Sequence, residues 1–197
     1  ADKETNMPKQ GWLQSLIEAQ VDGTALTNST VATSILPAAA KYGLYSGFFD
    51  RPGKQILIKA AGRISTVVTT PGTLTLDLRM GPTSNIIVAN GGAMSLNVVA
   101  KTNVPWILEW LLTCRAIGGG TTANLMHQGL WLSEAVIGSP LPTVGGAGEH
   151  LLPNAAPAVG TGFDSTVSMI VDLFATWSVA NASNSILVHQ FGLFDLN

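Results

Sequence analysis

Charge is scarce in this chain. Asp, Glu, Lys and Arg make up 11% of its 197 residues, against 46% hydrophobic. A free monomer normally spreads mixed ions over its surface to stay dispersed, so the shortage predicts that part of this surface is covered by something else. A bilayer is not the expected cover. Spanning one takes roughly 18 to 20 apolar residues in succession, and Gly, Thr, Asn and Ser interrupt every hydrophobic stretch. Nucleic acid fits no better, because the ten Lys and Arg stand singly in a chain of net charge −2 and form no basic stripe to neutralise phosphates. A protein partner is the expectation.

Cysteine is nearly absent as well. Cys114 has no second thiol to pair with and sits in an apolar alternating stretch, so it reads as a small buried hydrophobe. The opening Ala-Asp-Lys-Glu-Thr has no basic segment followed by an apolar core, so no secretory signal is read and synthesis in the cytoplasm is expected.

The usual catalytic patterns are missing too. His127, His150 and His189 are widely separated, whereas a cupin-type centre places two histidines one residue apart so that neighbouring inward side chains of a strand converge on the ion. Glu149 and His150 adjoin, but successive residues of extended chain point to opposite sides. No G-x-S-x-G pentapeptide offers a strained serine turn. Gly162-Phe163-Asp164-Ser165 reads instead as a turn whose Asp and Ser bond local backbone. Gly118-Gly119-Gly120-Thr121-Thr122 lacks the Lys and the following helix of a phosphate loop. Asp164 and Asp172 lie too far apart along one strand to act as an acid–base pair. The expectation is no enzyme, no metal and no cofactor.

Alternation is what the chain has in abundance. Leu74, Leu76, Leu78 and Met80 alternate with Thr73, Thr75, Asp77 and Arg79, the period of a half-buried strand. Ile56 to Thr70 is rich in β-branched residues and ends at Pro71-Gly72, which predicts a hairpin with the stretch that follows. Further strands are expected over 31–36, 42–49, 86–89, 93–100, 104–117, 125–137, 166–180 and 185–195, with Asn90-Gly91-Gly92 among the dividing turns. Trp106, Leu108, Trp110, Leu112 and Cys114 mark one face of their strand as core. Ile107 and Leu111 suggest that its second face is covered also. Val167 to Val179 alternates in the same manner and puts Trp177 in phase with core aliphatics. Residues 138–165, rich in Gly and Pro and almost uncharged, are read as an ordered extended loop.

No helical pattern lies between these strands, so βαβ units and a parallel sheet are not expected. The predicted fold is all-β, an antiparallel β-sandwich, jelly-roll-like because eight or more strands with long connections suit that winding. Residues 1–25 differ. Trp12, Leu13, Leu16, Ile17 and Val21 recur at three- and four-residue spacing before Gly23, which predicts a short amphipathic helix or arm ahead of a β domain over 26–197. Trp12, Leu13, Leu16 and Ile17 are candidate interface residues, with Trp131 as a second possible anchor.

One resemblance rests on the order of several short motifs: Ser34-Ile35-Leu36-Pro37, Gly53-Lys54, Ala61-Gly62-Arg63-Ile64-Ser65, Thr69-Thr70-Pro71-Gly72-Thr73, Asn103-Val104-Pro105-Trp106, Leu112-Thr113-Cys114-Arg115 and Gly162-Phe163-Asp164. Over residues 30–197 the chain resembles small virion structural proteins encoded among the head genes of tailed phages. The resemblance implies a decoration (cement) protein, a jelly roll seated on the major capsid protein of the virion surface, most often as a homotrimer. A neck or tail subunit, or a fibre-tip module recognising host glycan, is the rival expectation.

Overall fold

The structure is a computed structural model that describes residues 13–137 and 148–196. Its strands are β1 (Leu13–Glu18), β2 (Leu26–Thr27), β3 (Thr33–Ser34), β4 (Tyr42–Leu44), β5 (Gln55–Thr66), β6 (Thr73–Met80), β7 (Ile86–Ser95), β8 (Lys101–Ala116), β9 (Asn124–Leu132), β10 (Glu149–Leu152), β11 (Met169–Trp177) and β12 (Ser185–Leu196). They form two antiparallel sheets. The larger runs β1-β12-β5-β8-β9-β10 with β2 also on β12, and the smaller runs β3-β11-β6-β7 with β4 also on β11.

The expected antiparallel sandwich is therefore the fold, and its winding is that of a jelly roll. In the larger sheet β5 pairs with β8, in the smaller one β6 pairs with β7, and the returning β11 and β12 add beside β6 and β5. Residues 13–27 then lie along β12 and residues 33–44 along β11, giving four strands per sheet in the double Greek-key order. Strands β9 and β10 widen the larger sheet. A strap over 153–163 reaches from them to the free edge of β7, where the Asn154 N–H donates to the Gly91 carbonyl at 2.7 Å and the Thr161 N–H to the Ile87 carbonyl at 3.1 Å. These bonds satisfy edge groups that would otherwise invite another chain.

Burial follows the alternation read from sequence. Leu74, Leu76, Leu78 and Met80 are wholly buried, as are Leu108, Trp110, Leu112 and Cys114 on β8. Trp106 stacks on Trp131 with centroids 4.6 Å apart and planes 14° apart. Room for this stack depends on Gly62, where a Cβ would stand 3.0 Å from the Trp106 ring and 1.9 Å from the Leu187 carbonyl oxygen. Three buried indoles also find acceptors: Trp106 Nε1 donates to the Arg63 carbonyl at 3.2 Å, Trp177 Nε1 to the Leu26 carbonyl at 3.3 Å and Trp110 Nε1 to His127 Nδ1 at 3.2 Å.

Several expectations need correction. The N-terminal amphipathic helix is not formed by residues 13–25; Leu13–Glu18 is instead strand β1, paired with β12. Its register slips between Ser15 and Ile17. Such a bulge lets consecutive side chains turn the same way, so Leu16 and Ile17 both pack against the core and the spacing of Leu13, Leu16 and Ile17 imitates a helical period. Trp12 lies outside the described residues. Asn90-Gly91-Gly92 is likewise no turn. β7 continues through it, and the two glycines sit opposite Leu76 alone, a bulge in which Asn90 Oδ1 accepts the Gly92 N–H at 2.7 Å and Gly92 takes φ +76°. Val167, expected in the core, is exposed.

Trp131→Ala should cost about 3–5 kcal/mol of stability, because it removes a fully buried indole and leaves its stacking partner beside a void. Leu151→Ala, on the exposed face of the neighbouring strand, should change stability by no more than about 0.5 kcal/mol. Chemical denaturation of both variants checks the contrast.

Candidate interaction surface

Side chains that do not enter the core of the larger sheet form its outer face. Rows of cross-strand neighbours run Phe194–Leu57–Leu111–Gln128 and Ala61–Ile107–Leu132, with Leu130 and Leu151 adjacent on β9 and β10. Leu13 pairs with Leu196 and extends the face to the β1 edge. Ile107 is 53% and Leu111 37% exposed. The second face of β8, expected to be covered, is thus left open by the chain itself. A shallow depression of about 500 Å³ lies on this side, with Phe191, Phe194, Ala61 and Ile107 among its walls.

Ions on this face are few. Lys59 and Glu109 form an exposed pair at 3.5 Å, an arrangement that contributes little to stability in water. Several of the chain's remaining charges are held inside. Lys54 Nζ lies 3.1 Å from Asp195 Oδ2 with both side chains buried, and also 4.3 Å above the Phe48 ring. On the outer side of the smaller sheet, Lys41 Nζ meets the buried Asp172 at 2.9 Å, and Ser34 Oγ donates to the other Asp172 oxygen at 2.8 Å. Arg79 there pairs with Asp77 at 3.2 Å and covers the Phe174 ring at 4.2 Å. Burial pushes the Asp77 carboxyl up from its ordinary value, against the opposing pull of Arg79. The Arg79–Asp77 pair was legible, since residues two apart on a strand share a face.

The candidate interface residues separate. Leu13 is exposed and belongs to the open face, Leu16 and Ile17 are half-buried against their own core, and Trp12 is not described. Trp131 is corrected: it is fully buried against Trp106 and anchors the interior, because its phase on β9 matches Leu125 and His127 rather than Leu130 and Leu132. The outer Leu57–Leu111–Phe194 row, which does form a surface, was missed. The odd apolar residues on the second face of each strand were the signal.

Among the described residues no three His, Cys, Asp or Glu gather as a metal would require. His127 faces Trp110 inside the sandwich, His150 is buried on β10, and His189 lies 2.9 Å from Asp22 at the surface. The triple-glycine stretch is clamped by its neighbours: the Gly120 N–H donates to Asp164 Oδ2 and the Gly118 N–H to Ser165 Oγ, both at 2.9 Å. Bonds from Thr166 and Gly120 hold the Asp164 carboxyl below its usual range. Tyr45 is the exposed aromatic ring among the large exposed hydrophobic residues described; Trp106, Trp110, Trp131 and Trp177 are all buried.

These features define a two-sheet jelly-roll protein whose larger sheet leaves an apolar face uncovered. No protein-family model matches the chain, and no curated protein matches it.

Acid should weaken the fold. Burial lowers the pKa of His127, and it lowers that of His150 against the opposing influence of the Ile137 backbone and the Asn154 side chain. Because the folded values lie below the unfolded ones, the stability these neutral rings contribute is complete above the ordinary histidine pKa of about 6.5. It is lost as pH falls through the folded values, at up to about 1.4 kcal/mol per pH unit for each ring. Asp77, with its raised pKa, works in the opposite sense. Thermal melts at pH 7.5 and pH 5 should therefore differ less for His127→Gln than for the native chain.

Proposed function

We propose that this protein is a structural component of a tailed-phage virion that binds the outer surface of the capsid and reinforces the shell. It acts as a decoration protein, through contacts with the major capsid protein and with copies of itself. The observation that carries the reading is the uncovered apolar face of the larger sheet. At roughly 25 cal/mol per Å² of apolar area removed from water, a row such as Phe194–Leu57–Leu111 gains most when another protein surface lies on it. A shell supplies many equivalent seats, so modest contacts repeated around closed symmetry sum to firm attachment. The identity of that surface comes from the sequence resemblance, since a jelly roll by itself hosts many functions.

The rival glycan-binding reading calls for exposed aromatic rings beside amide or acid side chains, where sugars stack. The burial of the four described tryptophans supports it poorly. A neck or tail subunit would use the same apolar face, and locating the protein in intact particles separates that case.

Cosedimentation with capsids stripped of the protein tests the proposal. The native chain should bind, and Ile107→Lys combined with Leu111→Lys should weaken binding at least about tenfold, equivalent to about 1.4 kcal/mol, with the circular dichroism spectrum unchanged. Equal binding by the double variant, absence of binding by the native chain, or binding to host cells in place of capsids would each count against it.

A further inference from the structure

The strap over 153–163 shelters a pocket that the proposed role leaves unused. Four ties hold this strap. The Asn154 and Thr161 N–H groups bond β7, the Gly160 N–H donates to the Leu125 carbonyl at 2.9 Å, and Val159 bridges Met126 of β9. Glycine is required at 160, because a Cβ there would overlap the Val88 carbonyl oxygen. Between strap, β7 and β9 lies a cavity of about 380 Å³ with Ile87, Ala156, Ala158 and Val159 among its walls. Its polar lining is His127, Asn90 and Thr161, and among the described residues no Asp, Glu, Lys or Arg borders it.

His127 gives this pocket its chemistry. The residue is only 4% exposed, and the Trp110 Nε1–H donates to its Nδ1 at 3.2 Å. An imidazole that accepts at Nδ1 carries its proton at Nε2 in the neutral form. Burial favours that form, since it lowers the His127 pKa. Nε2 points away from Trp110, across the ring, and meets no acceptor among the described residues. The Trp110 ring stands edge-on to the imidazole at 5.4 Å and 78°, which fixes the direction of this donor. Asn90 Oδ1 accepts the Gly92 N–H at 2.7 Å, so the Asn90 amide nitrogen is left as a second donor. A held donor at the wall of an otherwise apolar cavity leaves one hydrogen bond to be completed from outside the chain.

We infer that the pocket under the strap binds a small uncharged carbonyl compound, whose oxygen accepts from His127 Nε2 and whose apolar body lies against Ile87 and the strap alanines. The donors select an acceptor, and a carbonyl oxygen is an acceptor that brings no donor needing a partner of its own. A carboxylate or phosphate also accepts, but it would lose water with no cation beside it. A sugar brings several hydroxyls, and aliphatic walls leave them unmatched. The volume lies at the small end of ligand sites, which limits the body to a ring or a short chain. A molecule held there links β7 to β9 through the strap and so tightens the open side of the sandwich. The inference rests on this fold and is independent of the capsid role.

Heteronuclear NMR of the full chain, with acetophenone as the probe, tests this. Acetophenone should shift the Trp110 indole N–H signal, since a bond at Nε2 is felt at Nδ1 of the same ring, and should raise the melting temperature. Toluene has the ring without the carbonyl, and benzoate has the ring with a charge. Each should bind at least about fivefold more weakly, the effect of one net hydrogen bond. His127→Phe should reduce acetophenone affinity to that of toluene. Ala156→Trp fills the cavity from an exposed strap position, and it should abolish binding even if the His127 variant folds poorly. Acetophenone that leaves the Trp110 signal unmoved, toluene or benzoate binding as tightly as acetophenone, or full binding by Ala156→Trp would overturn the inference.

Discussion

The larger sheet is centred on β5, flanked by β8 and β12, and the rest of the molecule depends on the side chains that this trio turns inward. Ile56, Ile58 and Ile64 from β5 lie with Trp106, Leu108, Trp110 and Leu112 from β8 in the buried interior. Burial of that kind is the dominant favourable term in folding. β6 and β7 connect β5 to β8 and form part of the smaller sheet, and β11 and β12 return as neighbours of β6 and β5. The Trp106–Trp131 stack extends the same interior under β9, and so ties the widened edge of the sheet to its centre.

Charge is allocated around this core in an uneven way. Lys54–Asp195, Lys41–Asp172 and Arg79–Asp77 take scarce ions into buried or half-buried pairs. Pairs of this kind lose hydration, and they persist where each ion has both a partner and further contacts. The aromatic rings under Lys54 and Arg79 and the hydroxyl on Asp172 supply those contacts. The consequence reaches the surface: ions that stabilise the interior are not available to solvate the outer face of the larger sheet.

Sequence alone determined the class of fold, because period-two alternation in stretches such as Thr73–Met80 and Trp106–Cys114 reports directly which side chains a strand can send to one side. It determined the buried state of Cys114 and of three tryptophans for the same reason, and it revealed the shortage of charge. It misassigned Leu13–Glu18, where a bulge gave a strand the spacing of a helix, and Asn90-Gly91-Gly92, where a bulge gave a continuous strand the composition of a turn. Both errors have one cause: a bulge is stabilised by the strand opposite, and a single segment carries no record of its partner. Trp131 shows the same limit, since only pairing of β9 with β8 decides that its ring meets Trp106. Tertiary structure alone also aligned Leu57, Leu111 and Phe194 in one row. Those residues are far apart along the chain, and strand register, set by the collective burial of the core, is what makes them neighbours.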